Sequence, residues 1–288
     1  TNLSLQTSFH TFFTHDMDYL DRNSISLNNL SKKIELFKNL NGAVIGDIIL
    51  DEYYECEALG LSREDFSVVY SPINKERFVG GAGVVAEHCS SFCNNVYLFS
   101  LLGTDENSVW IDNQISSKNI QKNFFIDEYA KTTIKTRYKR ERVTVFRSSS
   151  LNRLEISNTQ ANSLISKFET LAKNLDFVIF SDFGYGTVSK YVVQKIMQIA
   201  KENGIFISAD AQFSSQVTDL GKFAYVDLMS PTEFEARSFL KSPSSGLADL
   251  SKQFLKKSFI KNLILTLGRD GVLVDSSNNL IDNTNFEL

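Results

Sequence analysis

The chain has 288 residues, 42% of them hydrophobic, with 30 Lys+Arg against 34 Asp+Glu, a formal net charge of −4 and a pI near 5.5. That length can bury one large core, and the acidic balance gives no electrostatic ground for expecting nucleic acid as a partner. Three cysteines without CxxC spacing argue against a disulfide framework or a structural zinc site, no run of 18 apolar residues suggests a membrane span, and no basic-then-apolar leader opens the sequence, so the expectation is a cytoplasmic protein.

Residues 1–40 hold Ser, Thr, Asn and Phe without sustained periodicity until Leu30–Leu40, which has a short amphipathic helix pattern. They read as a connector from something upstream or as a docking arm, with Phe9, Phe12 and Phe13 packing on a neighbouring surface. Residues 41–288 read as one domain. Apolar runs of strand length occur at Ala43–Leu50, Val96–Leu102, Phe177–Ser181, Ile205–Asp210, Tyr225–Met229 and Asn262–Leu267. Between them lie helix patterns. Ser189–Asn203 puts Val192, Val193, Ile196, Ile199 and Ala200 on one face and stops at Asn203-Gly204, Pro231–Leu240 carries proline in its first turn, and Leu247–Lys257 follows. Cys89 and Cys93, four apart on a helix, share a face and read as core fillers.

Strands alternating with helices predict an α/β fold of three layers, a mainly parallel central sheet between helices. Such sheets bind ligands beyond the C-terminal ends of their strands, and Asp47, Asp51, Asp105, Asp182, Asp210, Glu235 and Thr266 all fall there. Segments 52–79 and 132–156 break the alternation with period-2 patterns, as in Thr132-Thr133-Ile134-Lys135-Thr136-Arg137-Tyr138. They predict a small separate β-sheet, a lid that could exclude water from the strand ends; the other reading is an antiparallel extension of the main sheet's edge. Lys135 and Arg137, at i and i+2, point to one face of a strand and can meet one anionic group, or serve as solvated charges on an edge. The Gly80-Gly81 turn at a helix start lets a polar ligand approach the backbone, or simply caps the helix.

Taken together, Gly46-Asp47-Ile48-Ile49-Leu50-Asp51, Gly80-Gly81-Ala82-Gly83-Val84-Val85-Ala86, Ser181-Asp182-Phe183-Gly184-Tyr185-Gly186, Pro231-Thr232-Glu233-Phe234-Glu235-Ala236 and Leu265-Thr266-Leu267-Gly268-Arg269-Asp270-Gly271 resemble, in order, the motifs of ribokinase-type (PfkB) carbohydrate kinases over about Ala43 to Asp275. Within them the likeness is nearest the heptose-phosphate kinase branch, including modules fused to a nucleotidyltransferase domain, here expected upstream. The chain departs from that pattern with Val84 in place of an asparagine in the glycine turn and Thr232 in place of another in the Pro-x-x-x-Glu-Ala motif.

The resemblance implies a ribokinase-like fold and ATP-dependent phosphorylation of a sugar or sugar phosphate with Mg2+. It assigns the substrate to Asp47, Asp51, Gly80, Gly81, Lys135, Arg137 and Asp182, the nucleotide to Thr266, Gly268 and Gly271, and the metal to Glu235, with a homodimer through the lid. The family's catalytic G-A-G-D segment has no counterpart up to Leu288. The catalytic base is therefore expected beyond Leu288, the chain reads as a piece of a longer kinase rather than a naturally short member, and its own phosphoryl transfer is expected to be very weak. Two other readings stay open: a non-catalytic sugar-phosphate or nucleotide-binding module, and a nucleoside or ribose kinase, for which neutral substrates would not need Lys135 and Arg137.

Overall fold

The computed structural model describes residues 25–152, 154–212 and 219–277. Phe9, Phe12, Phe13 and everything after Ser277 lie outside the described residues. Twelve described strands form two sheets. The larger runs β12 (Val272–Ser276), β11 (Asn262–Thr266), β10 (Leu228–Met229), β9 (Phe206–Ala211), β8 (Phe177–Asp182), β1 (Asn41–Gly46), β4 (Asn95–Leu102), β5 (Ile120–Ile126), all parallel except the β11–β12 pair. The smaller runs β3 (Val68–Gly81), β2 (Ile48–Leu61), β6 (Thr133–Arg140), β7 (Val143–Ser150) and shares no strand with the first. The lid is thus a separate sheet rather than an edge extension.

Central position explains the unbroken apolar run of β1. Flanked by β4 and β8, it is covered on both faces: Ala43 and Ile45 join one core with Phe99, Phe168, Phe180 and Ile196, while Val44 joins a second with Leu98, Ala86 and Ile111. The period of two sorts the same strand into both layers. The first core is closed by α4 (Asn158–Leu171), α5 (Lys190–Glu202) and α7 (Leu247–Ser258), the second by α2 (Ala82–Ser90) and α3 (Glu106–Gln114). In α5 the buried face is Val192, Val193, Ile196, Met197 and Ala200, and Ser189 caps the helix by accepting from the Val192 amide.

Several boundaries differ from expectation, each for a local reason. The run Ala43–Leu50 is two strands, because the chain leaves the large sheet at Asp47 and enters the lid at Ile48. Tyr225–Met229 shortens to Leu228–Met229: Tyr225 sits at φ 69° with its amide on the Ser258 carbonyl. Pro231 lies outside its helix, α6 (Glu233–Leu240), because Thr232 is the cap and closes a reciprocal box with Glu235. Strands β5 and β12 were not among the expected runs. The first helix, α1 (Leu27–Leu36), buries none of its residues, and Leu27, Leu30 and Ile34 stay exposed. Cys89 lies in α2 and Cys93 just past it, both half-buried against the second core; burial pushes the Cys89 thiol up to about 11, which leaves it an unreactive filler.

The outer side of the lid is fastened by Glu52, nearly buried between Lys75 Nζ at 2.7 Å, Arg77 Nε at 2.9 Å and Thr136 Oγ1 at 3.3 Å. Burial alone would raise its pKa, but the two cations and the hydroxyl outweigh that and hold the carboxyl below the ordinary range. A depressed carboxylate stabilises the fold above its unfolded pKa, and that contribution is lost as pH falls through the lower folded value. Lid amides of β2, β3 and β6 should therefore lose hydrogen-exchange protection on acidification from pH 7 to below the usual glutamate range. A Glu52→Gln chain should start with weaker protection and lose less; equal acid sensitivity in both would contradict this fastening.

Candidate functional site

Where β1 ends, Asp47 is only 2% exposed, and its carboxylate is turned onto the backbone. Oδ2 accepts from the Phe183 amide at 3.0 Å and the Tyr185 amide at 2.9 Å, and Oδ1 from Thr187 at 2.9 Å. With these three bonds Asp47, the residue expected to bind sugar, fixes the loop after β8. Asn152, at the exit of the lid, grips the same loop by donating its side-chain amide to the Tyr185 carbonyl at 2.7 Å and the Leu154 carbonyl at 2.9 Å. No motif pointed to Asn152.

Four residues further on, Asp51 does face a cavity. It lies opposite Lys135 and diagonal to Arg137, whose Nη1 reaches Asp51 Oδ1 at 2.5 Å. Gly80 comes alongside on β3, and a side chain there would collide with Asp51, its Cβ 2.2 Å from Oδ2. Gly81 has φ 60°, and a Cβ would meet the Asp47 carbonyl oxygen at 2.2 Å, the oxygen that accepts from the first amide of α2, Ala82. The glycine pair thus brings the start of α2 against the start of β2. A cavity of about 700 Å³ opens here, lined by Asp51, Tyr53, Glu55, Asn74, Glu76, Phe78, Val79, Gly80, Val84 and Lys139.

Lys135 and Arg137 share a face, yet they do not converge. The Lys135 ammonium lies 5.4 Å from the Phe183 ring centroid and 5.3 Å from that of Tyr185, tying lid to body, whereas Arg137 stacks on Tyr53 and binds Asp51.

Asp182 ends β8 at 1% exposure, paired with Lys222 Nζ at 2.6 Å; that ammonium also donates to the Val188 carbonyl at 2.6 Å. Burial pushes the Asp182 carboxyl up to about 6, Lys222 pulls it back and the nearby Asp47 charge pushes it further up. Lys222 sits on a short 3-10 turn, Leu220–Phe223, far from any motif, and escaped sequence reasoning.

Next along the sheet, Asp210 ends β9 and accepts from Ser230 Oγ at 3.3 Å; crowding by protein, then the Glu235 charge, raises its pKa. Glu235 is buried and accepts from the Thr232 amide at 2.8 Å. Among the described residues no three His, Cys, Asp or Glu side chains converge to hold a metal directly. Two carboxylates that repel each other, Asp210 near the end of β9 and Glu235 in the first turn of α6, nevertheless suit a hydrated Mg2+, which keeps most of its waters and takes few protein oxygens. Thr266, at the tip of β11, donates its amide to the Pro231 carbonyl at 2.9 Å and pairs with Thr232. Thr232, Glu233, Phe234, Arg237, Thr266, Leu267 and Gly268 line a second cavity of about 430 Å³. Gly268 and Gly271 both have positive φ, at the two ends of the following 3-10 turn, and only Gly268 reaches the cavity. Four strand spacings, roughly 19 Å, separate β1 from β11, and Asp182 and Asp210 lie at the ends of the two strands next to β1 on that side.

A family model described as "pfkB family carbohydrate kinase" matches residues 43–285. The bifunctional protein HldE of a Nitratiruptor species is 25% identical over 234 residues, covering 80% of this chain and 49% of that protein. That of Haemophilus influenzae (strain PittEE) is 31% identical over 207 residues, covering 69% and 41%. The chain spans about half the length of the curated relatives it matches, or less. Among solved structures, phosphofructokinase-2 from Escherichia coli in complex with fructose-6-phosphate superposes with a TM-score of 0.64 at 12% identity, covering 84% of this chain and 78% of that one. Ribokinase from Arabidopsis thaliana complexed with ribose and ATP gives 0.59 at 14%, covering 83% and 76%. At such identities the likeness establishes the ribokinase-like fold and nothing finer.

Proposed function

We propose, from the premise that this chain belongs to the pfkB family of carbohydrate kinases, that it serves the transfer of the γ-phosphoryl group of ATP to a hydroxyl of a sugar or sugar phosphate. One observation carries the reading: one cavity opens between the lid and the start of α2, where the chain has just left β1, another opens at the tip of β11, and the strand-end carboxylates Asp182 and Asp210 stand on the strands between. In this reading the acceptor lies over Asp51 and Gly80 under the lid, and the nucleotide lies by Thr266 and Gly268 at the start of α6. Asp210 and Glu235 would hold a hydrated Mg2+, whose charge would offset that of the phosphates. Asp47, Gly81 and Asp182 shape the acceptor loop rather than touch the sugar, and Lys135 latches the lid to it. The general base is assigned to a G-A-G-D segment of the family, which these 288 residues do not contain.

The HldE relatives are bifunctional, and a nucleotidyltransferase is the second activity we assign to the whole protein. A homodimer through the lid fits the exposed Val68, Val143 and Phe146 along that sheet and its unpaired edges. No described helix is long and apolar enough to cross a membrane.

Asp51→Ala is the direct test. Losing a hydrogen-bonded carboxylate contact, about 1.5–3 kcal/mol, should weaken the best-binding sugar about ten- to hundredfold in calorimetric titration and leave ATP affinity unchanged. Unaltered sugar binding, or an equal loss for ATP, would remove Asp51 from the acceptor site.

A further inference from the structure

The larger cavity has a chemistry of its own. Its lining holds three carboxylates, Asp51, Glu55 and Glu76, against one ammonium, Lys139. The strand register decides this: residues 51, 53 and 55 of β2 stand beside 74, 76 and 78 of β3 on the face that looks into the cavity, while Lys75 and Arg77 turn to the opposite face and bind Glu52. The cations that do share the inner face are engaged with protein. Arg137 is held by Asp51, Lys139 lies over the Tyr53 ring at 5.2 Å, and Lys135 sits over Phe183 and Tyr185 outside the lining. Arg147, opposite Arg137 on β7, is also outside it. Glu55 already accepts from the Glu141 amide at 2.7 Å, but Glu76 stands exposed on the cavity wall.

The rest of the wall is apolar. Phe78, 52% exposed, meets Tyr53 edge-on with ring centroids 5.7 Å apart, and Val79 and Val84 complete the surface. A dianionic phosphate brought here would face three carboxylates against the single ammonium of Lys139, and Arg137 could join only by leaving Asp51. A polyhydroxyl ring meets complementary groups instead: aromatic faces for its C–H side and carboxylate and amide oxygens for its hydroxyls.

Resting on the reading of this cavity as the acceptor site, we propose that the acceptor carries no phosphate at its outer end: the cavity takes an uncharged polyhydroxyl compound, its C–H face on Tyr53 and Phe78 and its hydroxyls on Asp51, Asn74 and Glu76. Calorimetric titration of the chain at low salt with matched pairs tests this: ribose and ribose 5-phosphate, fructose and fructose 6-phosphate, mannose and mannose 6-phosphate. In any pair that binds, the neutral member is expected to bind about tenfold tighter or better, and Glu76→Lys to shrink that ratio about tenfold with ATP titration unchanged. A phosphorylated member that binds tighter, or a ratio unmoved by Glu76→Lys, overturns the proposal and leaves the acceptor site standing. If ATP binds but no member of any pair does, the acceptor site itself falls with it.

Discussion

Replacing Asp47 with alanine is expected to cost at least about 3 kcal/mol of folding stability, because two buried amides and a half-buried one lose their carboxylate acceptor at once and each orphaned donor costs about 1–3 kcal/mol. The change also releases the loop that carries Phe183 and Tyr185, against which Lys135 holds the lid. Sugar affinity should therefore fall as well, through lost positioning. Asp47→Asn separates the two effects: one oxygen remains, so part of the set survives and stability should fall about half as far. Denaturant midpoints for parent, Asn and Ala chains give the order directly. An alanine variant that unfolds with the parent would show that the three bonds are replaced by water.

The second large effect concerns Lys222. Its partner Asp182 is buried while the lysine itself is only partly so, and removing the cation from such a pair typically costs about 3–5 kcal/mol, because the buried charge is left without compensation. Lys222→Met should show most of that loss at pH 7.5. The pH dependence follows from the raised Asp182 pKa of about 6. A carboxyl that binds its proton more tightly folded than unfolded stabilises the fold below its unfolded pKa, and that contribution is lost as pH rises through the folded value. Without Lys222 the folded pKa rises further, so the variant should approach the parent near pH 4.5 and diverge from it above pH 6. Asp182→Asn combined with Lys222→Met should recover much of the stability at pH 7.5. A loss in Lys222→Met that is equal at both pH values would mean the lysine acts through packing on Phe223 and its bond to Val188 alone.

The layered fold was legible because its signals are local. An apolar run such as Ala43–Ile45 can only be a strand covered on both faces, and the spacing of Val192, Val193, Ile196 and Ala200 can only bury one side of a helix. The motifs also placed Asp51, Gly80, Thr266 and Gly268 at cavity walls. What escaped depends on pairings between distant segments. Asp47 and Asp51 look alike in sequence, and only the switch of sheets at Ile48 sends one carboxylate into the protein and the other into a cavity. Lys135 and Arg137 alternate as expected, but the offset of β6 against β2 hands Arg137 to Asp51 before any ligand arrives. Lys222 and Asn152 belong to no pattern at all; their roles exist only once β8 and its loop are in place.

The pairing of β2 with β6 also sets an order of assembly. Thr136 and Glu52, bonded across those strands, are 84 residues apart in the chain. As synthesis proceeds, the β2–β3 hairpin emerges with one edge open, and nothing can cover that edge until residues near 140 have appeared. Loop closure over such a span is slow, and an open β2 edge rich in Ile, Leu and Tyr invites pairing with other chains. β1 waits still longer for its second neighbour, since its Ala43 lies beside Val178. The nascent first half of this chain is thus the stage most exposed to aggregation, and Lys75 and Glu76, set among the apolar residues of β3, act there as gatekeepers before the completed sheet gives them any other use.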